Sequence, residues 1–151
     1  MDEVSDSNAN LSDSSGNFYE DRRAVAIEVF KKMMGDEGAL GGGGLDAFVA
    51  EADSDAIRAP LIKLMLDFGM GEVWSRPGLD SREKSLVTLP LTIATRQFDE
   101  LKAHMKVALR NGLTVEQIRD VLIHSILYVG FPAVVQSHKV LAEVIEEERL
   151  G

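Results

Sequence analysis

The sequence predicts an all-α protein. Apolar residues recur at helical spacing along most of the chain, helix-capping residues open two of the segments, and no stretch alternates as a half-buried strand would. No internal repeat is present, and 151 residues are enough for one domain with its own core.

The elements follow in order. Residues 1–17 are rich in Ser, Asp and Asn without an apolar period, and read as a disordered acidic tail ahead of a single domain, 18–151. From Tyr19 the apolar face Ala24, Ile27, Phe30 and Met34, with Lys31 beside it, predicts a helix that stops at Gly35. Gly38 to Gly44 read as a connector. No strand precedes them and no GK[ST] follows, so a phosphate-cradling loop is not supported. A helix is expected from Pro60 to Phe68, with the proline in its first turn. GMGEVWSRPGLD, residues 69–80, then reads as an ordered loop carrying the only tryptophan, Trp74. Asp80 or Ser81 can cap a helix to about Thr95, in which Pro90 removes a donor and should kink or break the winding. Phe98 to Arg110 form the next helix, stopped by Asn111-Gly112. Thr114 and Gln117 fit a capping box for a helix to Tyr128 or Val129. Gly130 ends it, and Pro132 opens the last, to about Glu147.

Composition removes several classes of function. A net charge of −9 argues against nucleic acid and against an anionic membrane surface, both of which need clustered Lys and Arg. Without cysteine there is no disulfide, thiolate metal site or thiol nucleophile. No apolar run approaches the roughly 20 residues of a membrane span, and the N-terminus lacks the basic and apolar regions of a secretory signal. A cytoplasmic protein is expected.

The three histidines, His104, His124 and His138, are the natural proton carriers near neutral pH. Glu100 and His104 are four apart and share a helix face beside Leu101 and Ala108. A carboxylate there would favour the imidazolium form. A plain solvent-exposed pair has the same spacing. His124 and Tyr128 are also four apart, on a helix that is apolar nearly all round, where a satisfied core histidine is as good a reading as a functional one. His138 lies among Gln136, Ser137 and Lys139 and reads as solvated or at a subunit contact. No metal-ligand spacing and no GxSxG motif is present, so neither a metal nor a serine nucleophile is expected.

Two longer segments say more. GEVWSRPGLDSREKSLVTL, residues 71–89, and ELKAHMKVALRNGLTVEQIRDVLIHSILYVGFPA, residues 100–133, resemble γ-carboxymuconolactone decarboxylases, over about Tyr19 to Glu147. The resemblance implies the five- to six-helix fold of the alkylhydroperoxidase D-like superfamily, assembled as a ring-like homo-oligomer, a trimer or hexamer. It implies a cofactor-free carboxy-lyase that converts 4-carboxymuconolactone to 3-oxoadipate enol-lactone in aromatic compound degradation by the β-ketoadipate pathway. The superfamily's peroxidases carry CxxCxxxH. His104 matches that histidine, but Gln97 and Glu100 stand at the cysteine positions, which excludes peroxidase chemistry.

The site implied has His104 as proton donor, Glu100 orienting it, and His124 with Tyr128 as a second polar pair. Arg76 and Arg96 would hold substrate carboxylates bidentately, and Trp74 would wall the pocket. Trp74 as an ordinary core aromatic is an equal alternative. The sequence departs from the family at Arg96-Gln97, where Gly-Arg is usual, and at Val129, Val135 and Pro90. A member acting on another cyclic acid, as an isomerase, dehydratase or decarboxylase in a biosynthetic pathway, therefore stays open. So does a non-catalytic helical binding or assembly protein.

Overall fold

The computed structural model describes residues 11–35 and 44–149. Within them the chain forms α1 (Leu11–Met34), α2 (Gly44–Ala52) and α3 (Ala59–Leu64). A π-helical segment (Met65–Trp74) continues α3, followed by α4 (Ser81–Ala94), α5 (Phe98–Arg110), α6 (Val115–Val129) and α7 (Phe131–Glu147). No strand occurs among the described residues. The fold class is all-α, as expected. None of its helices is long and apolar enough to cross a membrane, among the residues described.

Four elements differ from the sequence reading. The expected tail overlaps α1, whose backbone is helical from Leu11; residues 1–10 lie outside the described residues. Residues 38–43 of the glycine connector also lie outside them, and Gly44 opens α2, an unexpected helix that makes seven α-helices among the described residues. The face of α1 is rotated: Ala26, Phe30, Met33 and Met34 are buried, whereas Ala24 and Lys31 are exposed. The stretch expected to be a loop up to Trp74 is π-helical. Helix α4 runs through Pro90 to Ala94, which costs the helix one donor but does not end it.

The termini follow the capping logic. Asp80 accepts from the Glu83 backbone N–H and Glu83 reaches back to the Asp80 N–H, so α4 opens with a complete capping box. Thr114 and Gln117 do the same for α6. Gly112 and Gly130 take φ of 90° and 79°, a left-handed backbone that turns the chain after α5 and after α6.

Two cores lie on either side of α5. Leu101, Met105 and Ala108 pack with Leu89 and Ile93 of α4, Ile118 and Leu122 of α6, and Val140, Leu141 and Val144 of α7. Val107 faces the other way, joining Phe30 and Met33 of α1, Leu45 and Ala52 of α2, and Ile62 and Leu66 of the α3–π unit. Arg110 closes the second core by donating to the Met34 carbonyl at 2.6 Å, which satisfies the end of α1. Arg23 of α1 binds Asp67 of the π segment through two nitrogens, with the two side chains only 18% and 13% exposed. That fork fixes the register of α1 against the π segment. Gly71 is buried there, and a Cβ on it would stand 2.7 Å from the Arg22 carbonyl oxygen. The glycine is what lets the two backbones meet.

Candidate active site

Two of the expected residues, Trp74 and His104, meet where the π segment ends beside α5. Trp74, the last residue of the π segment, lies parallel to the His104 ring, with centroids 6.0 Å apart and planes 5° apart. The packing of α5 between two cores places His104 there, flanked in sequence by the buried Ala103 and Met105. Trp74 also lines a cavity of about 490 Å³, with Val73, Arg76, Pro77, Leu79, Lys84 and Thr88 among its other walls. His104 is not itself in that wall; the indole stands against both.

Burial pushes the His104 imidazole below its ordinary value, and attraction to the Glu100 carboxylate pulls the other way but is the smaller effect. Glu100 thus favours the imidazolium form, as expected, but is not the larger influence on the ring. Its influence has the expected sign, yet desolvation outweighs it, because Glu100 is exposed and makes no hydrogen bond to the ring. Burial thus favours the neutral ring.

Arg76 is on the cavity wall with its side chain 71% exposed, tied to Glu72 by one 3.3 Å contact. Such a pair is weak and readily exchanged for a ligand carboxylate. The remaining expected residues form a separate group at the end of α6. Arg96 has a φ of 60° and donates to the Val129 carbonyl at 3.4 Å, and it is not on the cavity wall. His124 and Tyr128 pack ring to ring at 5.5 Å, and both are exposed on this chain. His138 donates through Nδ1 to the Val134 carbonyl at 3.0 Å, since a carbonyl can only accept.

Lys84 is the residue that sequence reasoning missed. It lies inside the quoted motif, but a lysine in the first turns of a helix is ordinarily a solvated charge. Here its Nζ turns inward, 2.6 Å from each of the Trp74 and Arg76 carbonyls.

The model of the carboxymuconolactone decarboxylase family matches residues 59–143, from the start of α3 to near the end of α7. The chain belongs to this family. Its relatives include a 4-carboxymuconolactone decarboxylase of Acinetobacter baylyi, 42% identical over 66 residues, which are 44% of this chain and 49% of that protein. A nitrosuccinic acid decarboxylase of Metarhizium robertsii is 35% identical over 85 residues, 56% of this chain and 59% of that protein. The chain thus spans about half the length of the curated relatives it matches. The family match takes in Trp74, Arg76, Lys84, Glu100 and His104, and also Arg96, His124 and Tyr128. It leaves out α1 and α2, the outer half of the second core.

Proposed function

We propose that the protein is a cofactor-free decarboxylase of a small carboxylic acid, with 4-carboxymuconolactone as the first substrate to test. The observation that carries this reading is a half-buried imidazole stacked on an indole that also walls a cavity bearing Arg76. Arg76 holds a substrate carboxylate. The bond to the departing carboxylate breaks, and its electron pair moves through the unsaturated ring into the lactone carbonyl, forming an enolate. His104, protonated from solvent as the anionic substrate binds, then gives that proton to carbon and returns to the neutral ring, leaving carbon dioxide and the enol-lactone. The ring of the substrate is the electron sink, so the chain's own residues need only bind, exclude water and move one proton.

Glu100 tunes His104 through space. His124, Tyr128 and Arg96 complete the site only where another subunit brings them to it. The similarity to a nitrosuccinic acid decarboxylase favours a second reading, decarboxylation of a different acid by the same proton delivery. Carbon dioxide release measured with purified protein on both acids decides between them. Release from neither, by folded and assembled protein, removes both and favours another reaction or a binding role.

Assembly is part of the proposal. Ile123, Leu127 and Tyr128 of α6, with Phe131 and Val135 of α7, leave a large apolar area exposed, Leu127 at 81%. A monomer rarely leaves such an area open to water. A homo-oligomer, trimer or hexamer, is the expected state, and light scattering that gives a monomer at micromolar concentration would refute it.

A further inference from the structure

We propose that Lys84 is a positioning residue that straps the end of the π segment, and thereby holds Trp74 on His104. The argument begins with the carbonyls that any helix leaves unpaired at its C-terminal end. At this end each has a named partner. The Ser75 hydroxyl donates to the Gly71 and Glu72 carbonyls at 2.8 and 3.1 Å. The Arg76 N–H donates to Val73 at 3.4 Å. The Trp74 carbonyl is taken by Lys84 Nζ, which binds the Arg76 carbonyl as well, both at 2.6 Å.

These are short, charge-assisted bonds, and a cation at a helix C-terminus is also favoured by the aligned peptide dipoles. They reach from α4 across to the end of the π segment and the turn that follows it. Trp74, Arg76, Pro77 and Leu79 line both the 490 Å³ cavity and a second of about 310 Å³. Residues 74–79 therefore border open space, while the Trp74 side chain also packs against the second core. One lysine ties this backbone on both sides of Ser75. With that tie removed, the Trp74 carbonyl loses its partner and the indole is free to leave the imidazole.

Trp74 is the only tryptophan, so its fluorescence reports the strap directly. The test compares wild type with Lys84→Met, which keeps the length and loses the charge, and with Lys84→Arg, which can again serve two carbonyls. Folding is checked by helical circular dichroism. Lys84→Met should shift Trp74 emission to the red and raise its acrylamide quenching about twofold. On an accepted substrate it should lower kcat at least about tenfold with KM changed less than about threefold. Lys84→Arg should restore emission, quenching and most of kcat. A lysine that merely stabilised the fold would lower the melting temperature and leave the native emission unchanged.

Wild-type emission and quenching in folded Lys84→Met overturn the proposal, whatever its turnover. Lys84→Gln is held to the same criterion should the methionine variant not fold. The kinetic arm rests on the decarboxylase reading and the fluorescence arm does not. A red shift in Lys84→Met with no activity in wild type supports the strap and refutes the decarboxylase.

Discussion

His104→Ala is expected to fold and assemble as wild type and to lose about 10²–10⁴-fold in turnover, the usual contribution of a positioned acid. The ring is half-buried against Trp74 and carries no hydrogen bond that the fold depends on, so the loss belongs to chemistry rather than stability. Glu100→Gln should lower turnover less, because the imidazole remains and only the carboxylate's attraction goes. The pH profiles carry the sharper information. Burial holds His104 below the ordinary 6.5 in the free protein. If imidazolium is the active form, kcat/KM falls as pH rises through that depressed value. An anionic substrate beside the ring favours its charged form, so kcat should persist to higher pH than kcat/KM. Glu100→Gln removes an upward influence and should move the fall of kcat/KM to lower pH still. Steady-state kinetics from pH 5 to 8 measure both limbs. The assignment fails if folded and assembled His104→Ala keeps wild-type turnover, or if His124→Ala abolishes activity while His104→Ala does not.

Gly71→Ala and Gly69→Ala should move stability in opposite directions, although they lie two residues apart in one segment. A methyl at 71 would stand 2.7 Å from the Arg22 carbonyl oxygen, a rigid backbone atom with no rotamer to yield. Separating α1 from the π segment also stretches the Arg23–Asp67 fork. Overpacking of this kind costs about 1–3 kcal/mol or more. In a chain of this size that lowers the melting temperature by roughly 2–12 °C. At 69 a Cβ meets nothing within 4 Å. There the alanine only reduces the freedom of the unfolded chain, a gain of about 0.4–1 kcal/mol. Thermal unfolding of the two variants side by side is the measurement, and a Gly71→Ala protein as stable as wild type would show that the helices are not in close backbone contact.

The same glycine explains where the sequence misled. Residues 69–80 read as a loop after a helix ending at Phe68, and glycine is a poor helix former. At 71 it serves packing instead, a property of the partner helix that no local pattern reveals. Helix α2 was illegible for a related reason. Nine residues after a glycine run offer barely two turns of period, and its order comes from burying Leu45 and Ala52 beside Phe30. Helices with caps written into them, such as α4 at Asp80 and α6 at Thr114, were legible, because the cap is a local chemical arrangement. The site divides along the same line. The Glu100–His104 spacing is visible within one helix, whereas Trp74 and His104 are thirty positions apart and meet only through the fold. Lys84 was hidden more completely, since its partners are carbonyls and have no residue type to recognise.

The winding of residues 65–74 has a consequence for how this site can vary. An α-helix advances about 100° per residue, and a π-helix, closing its rings one residue later, advances less. Ten residues of wider winding therefore leave Trp74 at a different angular phase from the one an α-helix of equal length would give it. The indole's bearing toward His104 is set by backbone pitch as well as by the side chains nearby. Losing or gaining one residue anywhere in this stretch turns the aromatic wall about the axis while the chemical groups stay the same. Relatives with identical reactive residues can thus differ in pocket shape through length alone.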